Sequence, residues 1–302
     1  MRKTTRLLVI GLVSLALSAC TFSDPRIEGT PAPPPINAAF VAELGAAAEE
    51  IGTAWEIVAA ISSSQGDSAR WLALSGALEA YWLVLTGPDP LNRRSAINSE
   101  VDPEPRLGTI GEAESALEEA RDQNLARAEQ STGLTAGFWA SLACGIEQVR
   151  RGLRSNYDSP IPANPSNTLV LLTADQALAN LILRYHEGIF GLQAALGFLS
   201  DYSEDWEVIA RVLATLQADL DALNSLTATP PAFPGAYELP AGRDGATARA
   251  MLAATQQSLV QAAAVWVASA EDPSEAIGYL MSNATLTSSL SIGLAHWPGW
   301  PD

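Results

Sequence analysis

The chain has 302 residues with 34 acidic against 17 basic side chains, a formal net charge of −17, and two cysteines, Cys20 and Cys144. That charge makes nucleic acid and anionic lipid headgroups poor partners. Two cysteines cannot build the disulfide framework of a small exported fold. With 48% apolar residues, the chain has the material to bury one or two sizeable cores, and packing must supply its stability.

The chain opens MRKTTR, placing Arg2, Lys3 and Arg6 ahead of an apolar run from Leu7 to about Ala19. About 13 apolar residues are too few to span a hydrocarbon core that needs about 20. Residues 1–19 therefore read as a signal peptide. The run ends Leu17-Ser18-Ala19-Cys20, which resembles the bacterial lipobox. The resemblance implies cleavage before Cys20 and acylation of its thiol and new amine, hence an extracytoplasmic protein lipid-anchored to the outer face of the cytoplasmic membrane. Each buried acyl methylene contributes about 0.8 kcal/mol, so two or three chains hold far better than one. Cleavage removes three basic side chains and no acid, taking the formal charge from −17 to −20, and leaves Cys144 alone. Residues 20–37 follow, with prolines at 25, 31, 33, 34 and 35; these favour extended polyproline II and describe a tether.

From there the periodicity is helical and no segment alternates convincingly as a strand, so the fold class is all-α. Phe40, Leu44, Ala47, Ile51, Trp55 and Val58 lie on one face of a first helix. Trp71, Leu74, Leu78, Tyr81 and Leu85 mark a second, ended by Thr86-Gly87-Pro88. A long polar stretch leads to Thr109-x-x-Glu112, a capping box that opens a third helix. The fourth carries Trp139, Leu142, Ile146, Val149 and Leu153. This first half spans 38–155, and a proline-rich linker occupies 156–168. The second half, 169–302, repeats the plan: Thr173-x-x-Gln176 caps a fifth helix, Ser203 opens a sixth, a long loop intervenes, and Asp272-Pro273-Ser274-Glu275 starts the eighth. The ending HWPGWPD reads as an aromatic plug over one end of the second half.

Helix pair, long loop, helix pair is the layout of a ferritin-like four-helix bundle, whose one long connection crosses between its second and third helices. Two such bundles in tandem are expected, with one continuous eight-helix array as the alternative. The stretch from about Leu172 to Trp297 resembles a ferritin-like domain of unknown function found in lipoproteins of high-GC Gram-positive bacteria. Two places carry the resemblance: His186-x-x-Ile189-Phe190-Gly191 in the fifth helix, and Pro230-Pro231 followed by Ala236-Tyr237-Glu238-Leu239-Pro240 in the crossover loop. It implies a fold and a cell-surface setting, with no established activity. In that family a Glu commonly precedes the His, whereas Tyr185 stands here, and Leu216 occupies the place of a His expected on the next helix.

A di-iron site of ferritin type needs Glu-x-x-His pairs facing inward, because iron takes both carboxylate oxygen and imidazole nitrogen. The chain's two histidines, His186 and His296, follow Leu183 and Gly293 at that spacing, so no such pair exists. At 1.5 Å per residue the two should also differ in height by roughly 15 to 20 Å. His186 lies on the flank of a core stripe through Leu178, Ile182, Tyr185, Ile189 and Leu192, and Glu187 lies nearly opposite its centre. These two are the weak candidate metal ligands, with a flanking structural histidine and a solvated Glu as the default reading. Glu114, Glu118 and Asp122 read as a solvated face. Glu43, Glu50, Glu79 and Glu147 form a further conceivable carboxylate cluster, suited to calcium or magnesium. Cys144 sits in apolar helical surroundings that raise its pKa and leave it inert, and no nucleophile elbow or phosphate loop is present. Bulky rings among many alanines read by default as core filling, and can also leave a pocket between helices for an apolar ligand.

The expected function is a non-enzymatic interaction or small-ligand-binding module of the cell envelope. No cofactor is expected. The membrane, through Cys20, and an envelope protein or apolar small ligand are the expected partners. The alternative is a metal-dependent ferritin-like oxidoreductase or storage protein with an irregular carboxylate site.

Overall fold

Helix starts follow from local chemistry. Thr109 accepts a hydrogen bond from the Glu112 backbone N–H (3.2 Å) while the Glu112 carboxylate accepts from the Thr109 N–H (2.7 Å). Thr173 and Gln176 make the same reciprocal pair at 3.3 and 3.1 Å. Ser203 and Asp244 cap through single bonds to the N–H groups of Trp206 and Thr247, and Asp272 accepts from the Ser274 N–H across Pro273. Each cap satisfies donors that the first turn leaves without an intrahelical partner.

A computed structural model describes residues 38–64, 69–87, 106–154, 169–199, 203–233, 235, 237–239, 242–290, 292, 294 and 297–300. The proposed signal peptide, Cys20, the tether, the linker at 156–168 and His296 lie outside the described residues. Among those described the chain is all-α, with eight helices and no strand: α1 (Ala38–Ser64), α2 (Ala69–Thr86), α3 (Ile110–Glu129), α4 (Gly133–Gly152), α5 (Ala174–Leu196), α6 (Glu204–Ser225), α7 (Gly245–Ser269) and α8 (Ser274–Ser289). No helix is long and apolar enough to cross a membrane, among the described residues.

In the first half α1 packs on α2 and α3, and α4 packs on α3 and α2, closing a ring of four. Ring contacts hold these pairs: Trp55 lies 5.8 Å from Trp82, and its indole N–H donates to Ser75 at 3.0 Å. In the second half α5 packs on α6 and α7, and α8 on α7, while among the described residues the backbones of α6 and α8 stay more than 8 Å apart, Cα to Cα. The far side of α8, together with α7, packs on α4 instead. Consequently every residue of α4 from Ala136 to Val149 is buried, and one apolar core runs through both halves.

The C-terminal aromatic residues sit at this seam rather than over an end of the second half. Trp297 stacks on Phe138 of α4 at 4.9 Å and meets Tyr81 of α2 edge-on at 5.5 Å. Gly299 has φ +86°, and a Cβ there would come within 2.2 Å of the Ala264 Cβ on α7, so only glycine allows the turn to wedge against that helix.

Candidate functional site

α5 and α7 approach closely at Gly188, where an added Cβ would lie 2.6 Å from the Thr255 Cγ2. One turn on, Gly191 leaves space, since a Cβ there meets only the Met251 Cε at 3.5 Å. Over this stretch of α5 the crossover loop lays a strap of aromatic side chains. Phe233 lies 5.4 Å from the His186 ring and 5.8 Å from Tyr237, and Tyr237 lies 5.7 Å from Phe190. The Tyr237 hydroxyl donates to the Leu183 carbonyl at 3.4 Å. The two sequence stretches singled out above therefore meet in space, although they lie about 50 residues apart.

Along α5 and α7 lie two adjoining lobes of a groove, of which only the smaller is bordered by the strap. The smaller, about 190 Å³, is lined by Phe190, Gly191, Tyr237, Leu239, Met251 and Ala254, with Glu187 and Glu238 also on its wall. The larger, about 440 Å³, is lined by Leu169, Val170, Asn180, Gln261, Ala262 and Val265 among others. Arg184 and Ser258 line both lobes and form the waist. From Met251 to Val265 along α7 the groove extends about 21 Å at 1.5 Å per residue.

The candidate residues divide here. Glu187 is half exposed and lines the groove, bound to the Arg184 guanidinium at 2.7 Å (side chains 46% and 45% exposed). His186 packs against Phe233 instead, and its partial burial holds the imidazole below its usual pKa. The structure thus turns the two to different neighbours, Phe233 for His186 and Arg184 for Glu187. Among the described residues no group of three His, Cys, Asp or Glu gathers as a metal site. Glu50 and Glu147, expected at most as members of a carboxylate cluster, are separately bound by arginine. Arg127 holds Glu50 at 2.5 and 2.8 Å, and Arg121, Arg150 and Arg151 converge on Glu147 at 2.7 to 3.0 Å. Of the acidic face on α3, Glu118 and Asp122 are exposed and both paired with Arg121, and Glu114 is bound by Arg154.

A di-iron centre of ferritin type would occupy the middle of a bundle. There the second half places Tyr185, whose hydroxyl accepts from the Asn283 amide at 3.0 Å and donates to Asp219 at 3.3 Å. The Thr287 hydroxyl donates to the Asn283 carbonyl at 2.6 Å and lies 3.3 Å from the Gln256 side-chain amide. Phenol, amides, hydroxyl and a lone carboxylate do not match the carboxylate and imidazole set iron requires, and these groups bind each other. Burial raises the pKa of Asp219 and of Tyr185 alike. Cys144 is fully buried with its Sγ 3.2 Å from the Met281 Sδ, and burial pushes its thiol pKa far up, so it is no nucleophile.

The sequence reading missed the polar row at the waist. Its signal is a set of polar residues on otherwise apolar helix faces: Asn180 and Arg184 four apart on α5, Ser258 and Gln261 three apart on α7.

No protein family, curated protein or solved structure matches this chain.

Proposed function

We propose that the chain is a lipid-anchored, extracytoplasmic small-ligand-binding protein of the cell envelope, non-enzymatic, and built from two ferritin-like halves. The ferritin-like reading is supported by helix neighbours. In the first half each helix of one short-loop pair packs on one helix of the other pair, the arrangement a single long crossover produces. In the second half the ring is open between α6 and α8, and α4 of the first half covers α7 and α8 from the other side.

The observation that carries the ligand-binding reading is the smaller lobe bordered by the crossover strap, because concave sites with mostly apolar walls and a few convergent polar groups are where small molecules bind. The hydrogen-bonded phenol and amide centre offers no comparable support to the metal-dependent alternative. The test is solvent extraction of the purified full chain followed by mass spectrometry. A small molecule recovered from wild type and lost in Gly191→Leu, which fills the smaller lobe, supports the reading; equal recovery from both forms, or none from either, counts against it. The anchor has a separate test, since a Cys20→Ala chain is expected in the soluble fraction.

A further inference from the structure

The groove is chemically asymmetric, and we propose that it takes a single-chain amphiphile with an anionic head, the tail in the smaller lobe and the head at Arg184. This rests on reading the groove as a ligand site and names the ligand's chemistry. The smaller lobe offers two aromatic rings, Leu239, Met251, Ala254 and the bare backbone of Gly191. An acyl chain fits that apolar side of the lobe, while Thr255, Ser258 and the two carboxylates lie along its polar edge. The larger lobe adds neutral hydrogen-bonding side chains, Asn180, Ser258 and Gln261, which suit an oxygen-rich head.

The head is anionic because Arg184 is the one cation among the described lining residues of either lobe. A guanidinium binds carboxylate or phosphate through a planar fork of donors. Its only ion pair among the described residues is with Glu187, through Nη1, and it carries five N–H donors. The bond to Glu187 spans three residues of one exposed helix face, a class of pair that contributes little. Glu187 therefore acts as a surrogate anion that neutralises Arg184 and gives way to the ligand's head. Glu238, on the wall of the smaller lobe and not paired with Arg184, repels a head placed at that end, which sets the ligand's direction.

Affinity should rise about fourfold for each methylene of the tail that the smaller lobe buries.

The experiment uses membranes carrying the full chain and a photoreactive, alkyne-tagged eight-carbon carboxylate, with labelled peptides identified by mass spectrometry. Saturable labelling of residues 174–196 and 245–269 is expected, competed by octanoate far better than by octanol. Arg184→Gln should weaken octanoate competition at least tenfold, Glu187→Gln should strengthen it several-fold, and Ala254→Trp should abolish labelling. The first two side chains are half exposed, so circular dichroism is expected to report an unchanged fold. Octanol competing as well as octanoate, or Arg184→Gln without effect, overturns the anionic head while leaving the groove a ligand site. Absence of saturable labelling by either the carboxylate probe or its alcohol counterpart overturns both.

Discussion

The Ser141 hydroxyl on α4 donates to the carbonyl of Pro298, 2.8 Å away and 157 positions later in the chain. Both groups are at the seam of the two halves, beside the stacked pair of Phe138 and Trp297. Ser141 and Trp297 are both buried, so neither the hydroxyl nor the ring has water as a substitute. Ser141→Ala leaves the carbonyl unpaired and should cost about 1 to 3 kcal/mol. Trp297→Ala removes a fully buried ring and should cost about 3 to 5 kcal/mol. Because the seam also carries α7 through Gly299, hydrogen exchange should accelerate in α2, α4 and α7 together in Trp297→Ala. Acceleration confined to α2 and α4 would show that the halves unfold independently.

Glu147 anchors the α3 and α4 pair, and its titration should be visible in stability. Burial alone would raise its pKa, but hydrogen bonds from Arg150, Arg121 and Arg151 more than offset this and hold it at about 2, against an ordinary 4.5. A carboxyl with a depressed folded pKa stabilises above its unfolded pKa, and that stability is lost as pH falls through the folded value. The difference corresponds to roughly 3 kcal/mol. Chemical denaturation of wild type should therefore lose stability between about pH 4.5 and pH 2 with a component that Glu147→Gln lacks. At pH 7 the variant should be less stable by about 3 kcal/mol, since three guanidinium groups lose their shared anion. Parallel pH profiles for the two proteins would contradict this assignment.

Helix positions were legible because each signal is local. Thr109 with Glu112, Thr173 with Gln176, Ser203 and Asp272 mark starts through bonds made within three residues, and the apolar stripes of α1, α2 and α5 face the core as their spacing predicts, with Trp55 and Ile189 only partly buried. What joins the helices was not legible. Phe138 meeting Trp297 depends on chain separated by more than 150 residues, and period alone marks one face of α4 while the structure buries it all round. The site was half legible: the sequence pointed to His186, Glu187 and the crossover loop, but not to Arg184, whose place at the waist depends on α7 lying across from it.

Asp219 predicts the opposite pH behaviour from Glu147. Burial raises its pKa, the hydrogen bond from Tyr185 offsetting part of the effect. A carboxyl that ionises less readily when folded favours the fold below its unfolded pKa, and that contribution is lost as pH rises through the folded value. Asp219→Asn keeps an acceptor for the Tyr185 hydroxyl and removes the charge. At pH 7 its melting temperature should exceed that of wild type, and at pH 3 the two should coincide. A variant that melts lower at pH 7 would mean that the charged form is the one the Tyr185 and Asn283 network favours.

The close approach of α5 and α7 is the last relationship open to direct test, because it sets the floor of the groove. An added Cβ at Gly188 would meet the Thr255 Cγ2 at 2.6 Å and the Leu216 Cδ1 at 3.7 Å, so the clash is with one methyl group. Gly188→Ala should gain helix propensity of about 1 kcal/mol but lose about 1 to 3 kcal/mol to overpacking, for a net loss. Thr255→Ser removes the methyl in question while keeping the hydroxyl. In the double variant the overpacking should vanish and the propensity gain remain, so Gly188→Ala should stabilise in the Thr255→Ser background and destabilise in wild type. A double-mutant cycle by urea denaturation measures that change of sign, and additive effects would show that the two helices are not in contact at this point.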